Sequence, residues 1–112
     1  MMAQEQLEKV APPTPDEVMD RIRPVEDPEL RMSIVELGLI YEINVNDEGV
    51  VEVIYTLTTP ACPIGPLIAA QIQDAVMSLA GVTDVETTTT FTPLWDPRTM
   101  ASDEVRMQLG MW

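Results

Sequence analysis

The feature that most constrains this chain is a change of hydrophobic period near its middle. Between residues 39 and 57, apolar side chains recur at every second position on both sides of the turn segment NDEG, residues 46–49. The apolar positions are Leu39, Tyr41, Ile43 and Val45 before the turn and Val51, Val53, Tyr55 and Leu57 after it. A period of two is typical of half-buried strands, so the segment is predicted to form an antiparallel hairpin.

The period then changes to that of an α-helix. After Pro66, apolar residues recur at helical spacing at Ile68, Ile72, Val76 and Leu79, and Gly81 is predicted to end this helix at the C′ position. The threonine-rich residues 82–92 follow and have the β-branched composition of a strand. The strand–helix–strand crossover should be right-handed. If the last strand pairs beside residues 39–45, an antiparallel strand separates the two parallel strands.

Capping signals predict helices at both ends of this core. Thr14, Pro15 and Glu17 form a capping-box pattern for a helix that should stop by Arg23, and Ser102 can cap a last helix before Gly110. Ser33 and Glu36 predict one further helical turn, closed at Gly38. The predicted fold is therefore α+β, in the order helix-strand-strand-helix-strand-helix, with helices on one face of a small three-stranded mixed sheet.

Length and charge limit the organisation and the partners. The chain of 112 residues suits a single domain, residues 14–112, preceded by a mobile leader at residues 1–13. Its 19 acidic and 6 basic residues give a formal charge of −13, which would repel nucleic acids and anionic membrane surfaces, although such an excess can also serve solubility alone. With no signal peptide or membrane span in the sequence and a single cysteine, a cytoplasmic location is expected.

The only cysteine lies in the most distinctive loop, TLTTPACPIGP at residues 56–66. Prolines on both sides of Cys62 favour a stiff, extended backbone, and Pro66 suits the first turn of the following helix. A thiol just ahead of a helix N-terminus can have a lowered pKa, which predicts a reactive cysteine. The alternative is a small buried hydrophobic residue, which is the usual environment of an isolated free cysteine.

Two further positions carry similar alternatives. Asp27 belongs to an X-Pro turn with three carboxylates in four residues, and acidic side chains of this kind are usually only solvated. Trp95 lies in a proline-flanked segment and is too large to be exposed without purpose, so it should pack over the core or over a site.

Four segments together resemble one family. They are VEDPEL at residues 25–30, SIVELGLIY at 33–41, TLTTPACP at 56–63, and WDP at 95–97 with Met100. The chain is similar over residues 18–110 to the MIP18 family, also called the DUF59 or SufT-like family of iron–sulfur cluster assembly proteins. The resemblance implies a small α/β domain associated with the maturation, carriage or delivery of iron–sulfur clusters to client apoproteins.

The resemblance also implies which residues act. The family's reactive cysteine falls on Cys62, its turn acid on Asp27, and the threonines before the cysteine on Thr58 and Thr59. The chain lacks the Gly-x-x-x-x-Gly-Lys segment of the ATPase domain found in Mrp-type carriers, and the additional C-terminal cysteines of PaaD-like members. It should therefore act as a stand-alone helper, with assembly proteins and client apoproteins as its partners.

The count of ligands separates the function classes. An iron–sulfur cluster normally needs four ligands, mostly thiolates, so one chain cannot enclose it. Two chains could share a labile cluster or iron between two Cys62 thiolates, which suits transfer and allows a homodimer.

The lack of histidine and of a second cysteine argues against a zinc site. The alternatives are a non-cluster-binding adaptor in the same pathway and a small thiol enzyme, which would lack the usual histidine base, so the chain is predicted not to be an enzyme.

Overall fold

The computed structural model describes residues 10–59 and 65–111 of the chain. Its helices are α1 (Pro15–Ile22), α2 (Gly65–Met77), α3 (Pro97–Met100) and α4 (Asp103–Gln108). Its strands are β1 (Glu26–Asp27), β2 (Met32–Ser33), β3 (Ile40–Val45), β4 (Val50–Tyr55) and β5 (Asp84–Thr89). The α+β prediction is confirmed, and the short elements β1, β2 and α3 add to it.

The main sheet has three strands in the order β3-β4-β5. Strand β4 pairs antiparallel with β3, as the hairpin prediction required, and parallel with β5, where Val51 is opposite Val85. The last strand therefore lies beside the second hairpin strand and not beside residues 39–45. This arrangement places β4 in the centre, where both of its edges are paired, and β4 has the most apolar sequence of the three strands.

The pairing of β3 with β4 is interrupted by a β-bulge. Ile40 is opposite Tyr55 and Glu42 is opposite Ile54, so Tyr41 is an additional residue on the β3 side. The hydroxyl of Tyr41 donates to the carbonyl of Pro93 over 2.8 Å. Tyr41 is half-buried, as Ile43 and Val45 are, and the exposed Glu42 and Asn44 alternate with them as predicted. The bulge lies where the Tyr41 hydroxyl reaches the segment after β5.

The core lies between the sheet and the two longer helices. Buried side chains come from α1, from α2 and from alternate positions of β4, as the sequence pattern predicted. They include Val18, Ile22, Val51, Val53, Tyr55, Ile68, Ile72 and Val76, each no more than 3 % exposed. Because the packing is continuous from α1 through α2 to β4, the cysteine loop between β4 and α2 is attached to the core at both ends.

Helix α1 begins and ends where its capping residues predicted. The Thr14 hydroxyl accepts from the amide of Glu17, and the Glu17 carboxylate accepts from the amide of Thr14 over 2.8 Å. In contrast, α2 ends at Met77, so the prediction that Gly81 is its C′ residue was wrong. Gly81 has φ +90° in a later turn, where a Cβ atom would lie 2.3 Å from the carbonyl oxygen of Ala11. Close approach of the N-terminal segment, and not helix termination, requires glycine there.

The residues between β2 and β3 form one helical turn, as predicted. The amide of Leu37 donates to the carbonyl of Ser33 over 2.9 Å, and the Ser33 hydroxyl accepts from the amide of Val35. Gly38 closes the turn with φ +82°, and a Cβ atom there would lie 2.2 Å from the carbonyl oxygen of Met100. The turn is thereby packed directly against the end of α3.

The predicted C-terminal helix is present as α4. The Ser102 hydroxyl accepts from the amide of Val105, whose side chain is buried.

The predicted leader is described only in part. Its residues 1–9 lie outside the described residues, and Pro13 is buried. None of the helices in the described part of the chain has the length and apolar character needed to cross a lipid bilayer.

Candidate functional site

The candidate site lies at the end of the sheet where β4 and β5 both finish. The chain leaves β4 through residues 56–59, and α2 begins at Gly65. Cys62 lies between them, outside the described residues, so the reactive thiol expected from the sequence stays a prediction. The segment after β5 crosses the same end of the sheet, because Tyr41 at the start of β3 contacts Pro93.

Asp27 is buried, with 1 % of its surface exposed. Its Oδ1 atom accepts two backbone hydrogen bonds, from the amide of Glu29 over 2.8 Å and from that of Leu30 over 3.0 Å. Its carbonyl accepts from the amide of Arg31 over 2.7 Å. Pro28 has no amide hydrogen, so these bonds use every donor that the turn offers. The carboxylate therefore has a structural task, which is to hold residues 28–31 in a tight turn.

Asp27 also borders a broad hollow of about 840 Å³ between α1, β1 and α2. Gln71, Asp74 and Ala75 of α2 line the same hollow. Gln71 is six residues beyond Gly65, which is about 9 Å along the helix axis. Asp27 is thus placed beside the middle of the helix whose N-terminus follows the cysteine loop.

Trp95 is half-buried and is held by one strong contact. Its indole nitrogen donates to the carbonyl of Leu37 over 2.7 Å. This hydrogen bond connects the segment after β5 with the helical turn before β3, and it satisfies the only polar atom of the indole ring. The exposed part of the ring is therefore apolar.

Trp95 and Thr58 line one cleft of about 400 Å³, which we call the Trp95 cleft. Its described lining residues are Glu29, Leu30, Thr58, Trp95, Pro97, Leu109 and Met111. The structure therefore brings together Thr58, Trp95 and the turn that Asp27 holds. The Asp27 side chain does not line this cleft, and neither does Thr59, which is exposed.

Sequence reasoning missed Thr56. This residue is fully buried, and its hydroxyl has no hydrogen-bond partner among the described residues. Leaving a buried hydroxyl unpaired typically costs about 1–3 kcal/mol. The alternation along β4 placed Thr56 on the polar face and predicted that it is exposed. The sequence pattern therefore gave no signal of its burial.

Asp96 caps α3 beside Trp95. Its carboxylate accepts from the backbone amide of Arg98 over 3.0 Å and from the Arg98 side chain over 3.3 Å. The backbone hydrogen bond, followed by the guanidinium, lowers the pKa of Asp96 below its ordinary value of 3.8. Asp96 is therefore anionic throughout the neutral range, and it neutralises Arg98 at the edge of the site.

Within the described ranges, no three carboxylate, histidine or cysteine side chains come close enough to hold a metal ion. The polar groups around the Trp95 cleft are single hydroxyls and separate carboxylates. Any thiolate ligand from this chain has to come from Cys62, its single cysteine.

Comparisons with known proteins agree with this architecture. The sequence model of a family described as iron–sulfur cluster assembly protein matches residues 15–87. The Fe-S protein maturation auxiliary factor SufT of Staphylococcus aureus is 40 % identical over 87 residues, which are 78 % of this chain and 98 % of that protein. An iron–sulfur cluster carrier protein of a Synechocystis species is 44 % identical over 73 residues, which are 65 % of this chain but 20 % of the carrier.

A solved structure has the same fold. The crystal structure of a DUF59 domain of unknown function from Bacillus anthracis superimposes with a TM-score of 0.80 and 25 % sequence identity. The superposition covers 99 % of this chain and 98 % of the Bacillus chain. The two chains therefore share one architecture over nearly their whole lengths.

Proposed function

This chain belongs to the iron–sulfur cluster assembly protein (MIP18, DUF59) family, and we propose that it is a maturation factor that carries or delivers clusters through Cys62. The cluster is its cargo and not a resident cofactor. The chain acts by binding and transfer, without catalysing a reaction of its own.

One observation carries this proposal most directly. Thr58, Trp95 and the Asp27 turn meet at the sheet end from which the cysteine loop departs. Thr58 is four residues before Cys62, so covalent geometry keeps their Cα atoms within about 14 Å of each other. A thiol within that distance of a preformed apolar cleft can meet a partner protein that occupies the cleft.

The single thiol suits a temporary cargo. A cluster needs about four ligands, and each chain supplies one cysteine, so the remaining ligands must come from a second copy, a partner protein or a small external thiol. Ligation of this kind is incomplete within one chain and is readily exchanged. We propose a labile iron–sulfur cluster or iron, shared between chains, as the transient cargo of Cys62.

We propose supporting roles for the other family positions. Thr58 and Thr59 would position the start of the loop, and the buried Asp27 keeps the neighbouring turn in place. Trp95 forms the apolar wall towards a partner. The partners would be iron–sulfur assembly proteins and client apoproteins in the cytoplasm, and a homodimer is one way to complete the ligand set.

A specific observation also favours a second function, that of an adaptor without direct cluster binding. The described lining of the Trp95 cleft is predominantly apolar, which is the character of a surface that contacts another protein. Such a surface can bring an assembly protein and a client together without holding the cluster itself.

Anaerobic reconstitution distinguishes the two functions. The wild-type protein is incubated with ferrous iron and sulfide, and visible absorbance reports cluster uptake. The matched variants are Cys62→Ser, which removes only the thiol, and Ala61→Ser, which adds a hydroxyl to the same loop and keeps the thiol. Carriage predicts absorbance in the wild type and in Ala61→Ser but not in Cys62→Ser. Equal absorbance in all three proteins would exclude Cys62 as a ligand.

Alkylation kinetics test the thiol separately. The loop position ahead of α2 predicts that iodoacetamide labels Cys62 in the folded protein, with a rate that rises at a lower pH than for a free cysteine. Labelling that stays negligible until the protein is unfolded would identify a buried structural thiol and would remove the carriage proposal.

A further inference from the structure

Strand β5 has an unpaired outer edge. The sheet order β3-β4-β5 makes β5 an edge strand that pairs only with β4. The amide of Thr90 donates to the carbonyl of Tyr55 over 2.8 Å, and backbone groups along a strand point alternately to its two sides. The amides and carbonyls of Thr87 and Thr89 therefore point away from β4. Within the part of the chain that the structure describes, neither of these amides has a hydrogen-bond acceptor.

This edge lacks the usual features that protect edge strands. The sequence of β5, DVETTT, contains no lysine and no proline, and its pairing with β4 has no bulge, whereas the other edge strand, β3, has one at Tyr41. Only the first outward amide is capped, because that of Val85 donates to the carboxylate of Asp84 over 2.9 Å. An edge that stays open in this way can pair with a further extended segment.

The sheet face beside this edge is acidic. We call it the open face, because α1 and α2 pack on the other side of the sheet, where Val53 and Val85 are buried. Its side chains alternate with these valines along β4 and β5, and the carboxylates among them are Glu52, Asp84 and Glu86. In the β4–β5 register Glu52 is directly opposite Glu86, so two negative charges are neighbours on this face.

Arginine side chains do not neutralise these carboxylates. The arginines that the structure describes lie in α1, in the turn between β1 and β2, in α3 and in α4, and their ion pairs are with carboxylates outside the three strands of the sheet. Glu52 accepts from the neutral amide of Asn44 over 3.0 Å, which leaves its charge unchanged. The open face therefore repels the same edge of a second copy and attracts a cationic strand.

We propose that β5 pairs with an extended segment of a partner protein that carries lysine or arginine at alternate positions and adds a fourth strand to the sheet. Backbone hydrogen bonds to Thr87 and Thr89 supply affinity, and basic side chains beside Asp84 and Glu86 supply specificity. The inference goes beyond the proposed function, because it assigns a second surface and requires neither Cys62 nor a cluster. Strand β5 ends at the candidate site, so the added segment lies beside that site.

Amide hydrogen exchange, followed by NMR, tests this pairing on the full chain. The probe is a short peptide of alternating lysine and valine with blocked ends, added in excess. We expect exchange at Thr87 and Thr89 to slow at least about tenfold, while exchange at Thr88, whose amide already faces β4, should change less than about twofold. Unchanged exchange at Thr87 and Thr89, or slowing along β3 instead, would overturn the proposal.

A comparison peptide and a matched pair of variants test the role of charge. Replacement of the peptide lysines by glutamates should weaken binding at least about tenfold, as measured by fluorescence anisotropy of the labelled peptides. Glu86→Lys should weaken binding of the lysine peptide to a similar extent. Glu104→Lys makes the same change of charge in the first turn of α4 and should alter the affinity less than about twofold. Equal losses in the two variants would show attraction by net charge alone and would contradict the proposal.

The same exchange measurement identifies two other occupants of the edge. Protection of Thr87 and Thr89 without peptide that increases with protein concentration, together with a dimer in sedimentation, would show that a second copy pairs with β5. Protection without peptide that is lost on deletion of residues 1–9 would show that the chain's own N-terminal segment pairs there. Either result would overturn the proposal. Cys62→Ser should bind the peptide as the wild type does, so failure of cluster uptake and failure of strand addition are distinguished.

Discussion

Replacement of Asp27 separates its structural task from any chemical one. The carboxylate is buried, and one of its oxygens accepts the amides of Glu29 and Leu30. Hydrogen bonds to a charged group contribute about 1.5–3 kcal/mol each, but the Glu29 amide is in an exposed residue and can be hydrated after substitution. We therefore expect Asp27→Ala to lower the free energy of unfolding by about 2–4 kcal/mol.

Asparagine should behave differently from alanine at this position. The Asn side chain keeps an oxygen acceptor of the same shape, so Asp27→Asn should cost less than about 1 kcal/mol. Glu26→Ala is the control, because Glu26 is the neighbouring residue of β1 and is exposed, and its replacement should change stability by less than about 0.5 kcal/mol. A destabilisation of 1 kcal/mol corresponds to a decrease in Tm of roughly 4 °C in a domain of this size.

Urea unfolding followed by circular dichroism measures these differences. The midpoint and the slope of each transition are compared, so that a change in stability is not confused with a change in the unfolded state. If Asp27→Ala is as stable as Glu26→Ala, the turn does not depend on the carboxylate. If Asp27→Asn is as unstable as Asp27→Ala, the charge and not the acceptor geometry holds the turn. A stable Asp27→Asn protein that fails to take up a cluster would assign the carboxylate a chemical role as well.

Three further predictions concern the core, the close approach at α3 and the pH dependence. Ile72→Ala should cost about 2–5 kcal/mol and Gln73→Ala less than about 1, because Ile72 is fully buried and Gln73 makes only an exposed hydrogen bond; equal urea midpoints would mean that the helix face is misassigned. Gly38→Ala should reduce Tm and disturb the near-UV spectrum of the tryptophans, since a Cβ atom at this positive φ meets a backbone carbonyl; an unchanged melting curve would contradict this. The lowered pKa of Asp96 means that its contribution to stability is complete above pH 3.8 and declines as the pH falls through the lower pKa of the folded state. The difference in urea midpoint between wild type and Asp96→Asn should therefore narrow in strong acid, and a difference that is constant from neutral to acid pH would argue against the interaction with Arg98.

Local chemistry was sufficient to predict most elements of this fold. The hydroxyls of Thr14 and Ser102 cap their helices as the sequence indicates, because a cap involves only residues within one turn of each other. The alternation along β4 correctly identified Val51, Val53 and Tyr55 as core residues. These inferences succeed because the periodicity of a helix or a strand follows from backbone geometry alone.

Contacts between distant segments decided the remainder. Strand order depends on which hairpin edge is left open once α2 has packed, so the position of β5 beside β4 could not be derived from the composition of either strand. Trp95 finds its partner 58 residues earlier, at the carbonyl of Leu37. Gly81 is required by the approach of Ala11 and not by the helix that precedes it. The sequence next to each of these residues does not indicate which distant segment it contacts.

For the candidate site too, the sequence indicated the residues and the tertiary structure decided which of them lie together. The sequence by itself proposed Cys62, Asp27 and Trp95 as candidates, because their residue types and settings are distinctive, and the family resemblance added Thr58 and Thr59. It did not show that Asp27 is committed to a turn, or that Thr58 and Trp95 share a cleft with Leu109 and Met111, which follow the C-terminal helix. A cleft consists of the space between segments that are far apart along the chain. Only tertiary packing sets the distance between its walls, and that packing determined which of the predicted residues meet.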